Sequence, residues 1–233
     1  MQISRHLGAR AVATALSGVA LLAAAAGCGG ASGSSANPLA GMTAQQIFTQ
    51  ALANLKAASS VRVAGSIVGS DGATMMNLTD GPGGCTGTLS ANGAGSVGVL
   101  GIGSKLWIKP DRQYLESSGA TAAVTNLLTG KYVSTSDQNS SLAVFCGLNG
   151  ITTKLGAGGT FTKGTATTIS GQRVLQIKAT GQPGSEYVTN SASPEIVRLD
   201  TGSGIMDFSD YNAPLTLTPP PASETVDGAK YGF

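Results

Sequence analysis

The sequence predicts an α+β fold: a large, strongly curved antiparallel β-sheet with a few helices packed on its concave side. Three observations carry this. One segment near the start of the folded part has helical apolar spacing and a complete start signal. Most of the remaining chain is a run of short segments with apolar and polar residues in alternation, separated by Gly- and Pro-rich turns. The alternation leaves one apolar and one polar face, the pattern of an antiparallel sheet covered on one side only. A large sheet served by few helices has to bend around them.

The 233 residues, 41% of them hydrophobic, suffice for one domain with a core. Charged residues make up only 11% and the formal balance is +2. This argues against a nucleic-acid partner, which needs clustered Lys and Arg.

The N-terminus reads as an address. Arg5, His6 and Arg10 precede an apolar run from Ala11 to Ala26, which closes on Gly27-Cys28. A basic start followed by a short Ala-rich stretch is an export signal rather than a permanent span. The small residues before Cys28 resemble the lipobox of bacterial lipoproteins, in which the cysteine is acylated and becomes the first residue. Residues 1–27 are therefore expected to be removed. Residues 28–42 would be an acylated cysteine and a flexible Gly/Ser tether. More than one acyl chain on Cys28 gives stable attachment, at about 0.8 kcal/mol per buried CH2. The expected location is the cell membrane, lipid-anchored on its extracytoplasmic face.

Cleavage after Gly27 also changes the chemistry. It removes Arg5 and Arg10, so the 14 cations become 12 against 12 acids, and it removes His6, the only histidine. No Ser-His or Cys-His pair and no His metal ligand remains, which closes most common hydrolase mechanisms; no catalytic residue, metal site or cofactor is assigned. With Cys28 acylated, Cys85 and Cys146 are left in a disulfide-permissive compartment, where they most simply form one disulfide. Two buried free thiols, or a redox pair without C-x-x-C spacing, are the alternatives.

The folded part begins with a helix. Thr43 and Gln46 have capping-box spacing, with Met42 and Ile47 placed for a hydrophobic staple. Ile47, Phe48, Ala51, Leu52 and Leu55 form the stripe, which ends near Ala58. From Val61 the period is that of strands: VRVAGSIVGS, TMMNLTD, CTGTLSAN, SVGVLGIG and KLWIKP, with turns at Asp71-Gly72 and Gly81-Pro82-Gly83-Gly84. Two short helices, over Ala122–Leu128 and over Leu142–Phe145, flank Lys131-Tyr132-Val133. Strands resume near Phe161 and run to Thr218. Leu175, Ile177 and Ala179 share one face, as do Val197 and Leu199, and as do Leu215 and Leu217. The prolines after Thr218 end the last strand, leaving 43–220 as the domain and 221–233 as a flexible tail.

The order of parts resembles the LppX/LprG-like lipoproteins, relatives of the LolA and LolB lipoprotein carriers. The residues that carry the likeness are the lipobox, Leu52-x-x-Leu55-Lys56, Ser60-Val61, Gly171-Gln-Arg-Val174-Leu-Gln-Ile177-Lys, Pro194-Glu-Ile-Val197-Arg-Leu199 and Phe208-Ser-Asp210-Tyr211-Asn-x-Pro214. The resemblance implies a half-barrel whose concave side is plugged by helices. It also implies a non-enzymatic role, with acyl chains of a lipid or lipoglycan held between sheet and helices. Inward-facing Val97, Val99, Leu106, Ile108, Leu175, Ile177, Val197 and Leu199 are the expected cavity lining, in a monomer anchored to the membrane. The alternative is a surface interaction module with a filled core and no lipid ligand.

Two other patterns read as structure. Gly98 to Lys105 nearly spells a phosphate loop, but Ser104 and Lys105 are in the wrong order and lead into a strand. Asp207 and Asp210, three positions apart on a strand, point to opposite faces and do not form a catalytic pair.

Overall fold

In the computed structural model the described residues are 37–69, 72–135, 146–148, 152–153 and 159–232. The signal segment, Cys28, the first part of the tether and the helix expected over Leu142–Phe145 lie outside them. The elements in chain order are α1 (Ala44–Ala57), β1 (Val61–Gly69), β2 (Gly72–Gly81), β3 (Gly84–Ala91), β4 (Gly95–Ile102), β5 (Lys105–Pro110), α2 (Arg112–Ser117), α3 (Ala122–Leu128) and β6 (Tyr132–Thr135). They continue with β7 (Phe161–Ile169), β8 (Gln172–Ala179), β9 (Ser185–Thr189), β10 (Ile196–Asp200), β11 (Ile205–Ser209) and β12 (Thr225–Asp227).

The strands form a single 12-stranded sheet in the order β12-β6-β5-β4-β3-β2-β1-β11-β10-β9-β8-β7. It curves without closing, so β12 and β7 remain as edges. The predicted α+β class with helices on the concave side is the class found. Two meanders, β1 to β6 and β7 to β11, join where β1 pairs with β11, Val63 opposite Phe208. Hairpins of this kind need only short turns, which is why Gly and Pro punctuate the sequence so regularly.

The capping box forms as the spacing predicts. The Gln46 N–H donates to Thr43 Oγ1 at 3.2 Å, and the Thr43 N–H donates to Gln46 Oε1 at 2.8 Å. Ile47, Phe48, Ala51 and Leu55 are buried, and Phe48 stacks on Phe161 with ring centroids 4.3 Å apart. Helix α1 covers β7 and β10, whereas α2 covers β4 and packs against α3. The helices thus sit over the two halves of the concave face. Asp111 caps α2, a helix that the sequence reading leaves unassigned between β5 and α3.

Four expectations are corrected. Residues 221–233 are not wholly a loose tail, because Thr225–Asp227 adds a strand parallel to β6, with Val226 opposite Val133. The sheet is therefore mixed. Leu215 and Leu217 do not continue it: residues 213–220 alternate between partly buried and exposed but have no strand partner. The end of the tether is also ordered. Leu39 is fully buried in the core, and Lys163 Nζ donates to the Leu39 and Ala40 carbonyls at 2.9 and 3.3 Å. Lastly, a bulge between Ile196 and Arg198 breaks the alternation in β10, so Ile196 occupies the core and Val197 lies apart from it.

Candidate functional site

The concave face is built from one parity of each strand. In β1, β2 and β11 this parity brings Val61, Val63, Met76, Leu78, Met206 and Phe208 into one cluster. Most of the expected cavity lining falls on the same face. Val97, Val99, Leu106, Ile108, Leu175 and Ile177 belong to that cluster, with Leu199 packed against it. Val197 instead borders a pocket of about 270 Å3 with Gln172, Glu195, Phe208, Ser209, Asp210 and Tyr211. Most of those side chains are polar, and the volume is below the roughly 300–1,000 Å3 of ligand cavities.

The predicted lining is buried. Val97 is 2% accessible, Ile108 1% and Ile177 0%.

The Cys85–Cys146 disulfide is present, with Cα atoms 5.2 Å apart. It ties the segment after β6 to the inner face of β3. Its room is made by Gly101, directly opposite Cys85 on β4, where an added Cβ would overlap Cys146 Sγ. Neighbouring Leu148 and Thr152 are buried as well, so this part of the segment lies in the interior.

Two carboxylates face inward. Asp80 follows Met76 and Leu78 in inward parity and is fully buried. Its Oδ1 accepts the Gly147 N–H at 2.8 Å, and its Oδ2 has no partner among the described residues. Burial pushes its pKa up to about 6, against the pull of the Gly147 hydrogen bond. Glu186 lies between Ile177 and Leu199 on the inner face, with one buried oxygen unpartnered among the described residues, and burial raises its pKa too. Strand parity marks both positions, since Asp80 continues Met76-x-Leu78 and Glu186 precedes Val188 by two.

The Phe208–Pro214 motif proves to be a lock. Phe208 is buried, and the Tyr211 hydroxyl donates to the Ile196 carbonyl at 2.8 Å. Burial and the Glu195 charge raise the Tyr211 pKa. Asn212, at φ 60°, accepts the Ser59 N–H at 2.9 Å and donates its own N–H to the Ser60 carbonyl. The turn after β11 is thereby fastened to the junction of α1 and β1. Asp207 forms a two-pronged ion pair with Arg198, while Asp210 is exposed in the turn, so the two acids do not meet. The Gly98–Lys105 stretch is the β4–β5 hairpin. Trp107 is buried outside the core cluster, opposite Leu100 and Ser134.

Among the described residues no group of three or more His, Cys, Asp or Glu is placed to hold a metal. Among them, too, no helix is long and apolar enough to cross a membrane. An open, curved mixed sheet with a few helices on its inner face defines a class of non-barrel α+β half-shells.

Within that class the chain is similar to two mycobacterial proteins. LprF from Mycobacterium bovis superposes with a TM-score of 0.53 at 16% identity, over 76% of this chain and 96% of that one. The lipoprotein LppX of Mycobacterium tuberculosis gives 0.51 at 16% identity, over 75% and 98%. The resemblance to the LppX/LprG family read from the sequence is thus matched in the fold. No family model matches the sequence, and no curated protein matches it.

Proposed function

We propose that this chain is a membrane-anchored lipoprotein of the cell envelope that binds or carries a lipid or lipoglycan, without catalysis. The observation that carries the reading is the shared half-shell fold, including with the lipoprotein LppX, on a chain whose N-terminus reads as a lipobox. Acyl chains would lie between the inner face of the sheet and α1 to α3, against Val97, Val99, Leu106, Ile108, Leu175 and Ile177. Cys28 would hold the monomer to the extracytoplasmic face of the membrane.

The burial of Val97, Ile108 and Ile177 favours a second reading, in which the core is filled and the domain is an interaction module. Native mass spectrometry of the protein taken from its envelope, followed by lipid extraction, separates the two. A bound species of lipid mass supports a carrier and gives the cargo class. An empty monomer that takes up no added lipid supports the interaction module.

A further inference from the structure

Glu186 is a carboxylate set among the expected acyl-chain lining. On β9 it stands directly between Ile177 on β8 and Leu199 on β10. It points inward, because Val188, two residues on, is in the core. The same rung continues through Met206, Gly65, Met76, Leu89 and Val97. A lipid lying along Ile177, Leu199 and Val97 passes over this side chain.

A carboxylate oxygen shut away from water needs a donor. Glu186 Oε2 is buried with no partner among the described residues, whereas the other inward carboxylate, Asp80, holds the Gly147 N–H. The one cation on the rung, Lys163, is two strand spacings away, about 10 Å. Its ammonium is taken by the Leu39 and Ala40 carbonyls. Burial raises the Glu186 pKa, and no cation counters it. The fold thus leaves a donor to be supplied by whatever occupies the inner face.

We infer that Glu186 selects the lipid: its inward oxygen accepts a hydrogen bond from an uncharged hydroxyl near the lipid's polar end, and its carboxylate rejects a phosphate or carboxylate at the same place. The inference rests on the lipid reading proposed above and names the class of lipid within it. A hydroxyl completes the unpartnered oxygen without burying a second charge. An anionic headgroup would set two like charges together, with Lys163 already engaged. An ammonium would bury an ion pair against Ile177, Leu199 and Met206, where desolvation offsets its attraction. A hydrogen bond to a charged group, gained with one lipid and absent with another, separates their affinities roughly 10–100-fold.

The test gives the whole chain, purified from its envelope and stripped of lipid, an equal mixture of three lipids with the same oleoyl chains. These are dioleoylglycerol, which has one hydroxyl, its 3-acetate, which has no donor, and its 3-phosphate. Native mass spectrometry at pH 8 reads the ratio of the three complexes within one sample, so a variant's overall stability does not enter. The parent is expected to hold dioleoylglycerol about tenfold or more over either analogue. Glu186→Gln keeps an acceptor without the charge, so it retains the preference over the acetate and loses that over the phosphate. Glu186→Leu loses both. Unchanged ratios in the two variants, or a parent that takes the three lipids equally, overturn the role of Glu186 and leave the carrier reading standing. A parent that takes up none of the three overturns the selection, and if it also left the envelope without lipid, the lipid reading falls with it.

Discussion

Replacing Asp80 with Asn tests the description of the interior through its pH dependence. The carboxyl is fully buried and its pKa is raised from 3.8 to about 6. A raised folded-state pKa means that the native state binds this proton more tightly than the unfolded chain does. The carboxyl's favourable contribution is therefore complete below the unfolded pKa, near pH 4, and is lost as pH rises through about 6. At about 1.4 kcal/mol per pKa unit, the shift makes the native state roughly 3 kcal/mol less stable at pH 7 than at pH 3, from this group alone. Asp80→Asn keeps an oxygen for the Gly147 N–H and cannot ionise. It leaves an amide N–H2 where Oδ2 has no partner, a cost of about 1–3 kcal/mol that does not vary with pH. The difference in melting temperature between variant and parent should therefore shift in the variant's favour between pH 4 and pH 7 and then stay constant. For a domain of this size, 3 kcal/mol corresponds to about 6–12 °C. Thermal melts at half-unit pH steps provide the assay. Parallel curves across that window would refute the buried, desolvated carboxyl.

Four further outcomes are expected. Cys85→Ala with Cys146→Ala opens a bridge spanning 61 positions, which should cost about 4 kcal/mol and lower Tm by roughly 8–16 °C; an unchanged melt under non-reducing conditions would rule out a stabilising bridge. Gly101→Ala should lower Tm under oxidising conditions and lose most of that deficit in reductant, because only the bonded Cys146 sulfur is held where the new methyl must go. Tyr211→Phe leaves the Ile196 carbonyl without its hydroxyl donor and should destabilise by about 1 kcal/mol, read as an earlier urea midpoint. Separately, Cys28→Ala should release the folded domain from the membrane fraction, and retention would overturn the lipobox reading.

Much of the fold was legible because its signals are local. The Thr43–Gln46 box and the stripe from Ile47 to Leu55 define α1 within 14 residues. The first five strand segments match β1 to β5, because Gly and Pro turns set hairpin boundaries and the two-residue period sets the faces. The inner face from Val97 to Ile177 was readable for the same reason. Periodicity failed where the chain itself departs from it. One extra residue at the β10 bulge gave Ile196 the place expected of Val197. The Leu215 and Leu217 alternation has strand period but no neighbour to pair with.

By itself, then, the sequence determined the helix start, the order of hairpins, the two cysteines left to pair and the parity of the inner face. Each depends on residues a few positions apart or on counting. What meets across long separations depends on the assembled sheet. It placed Thr225–Asp227 beside β6, Leu39 under Lys163, and Gly147 against Asp80. A strand's alternation fixes which side a residue faces, but not which distant strand or segment comes to cover it. That choice is made by the summed burial and hydrogen bonding of the whole sheet, which no local window contains.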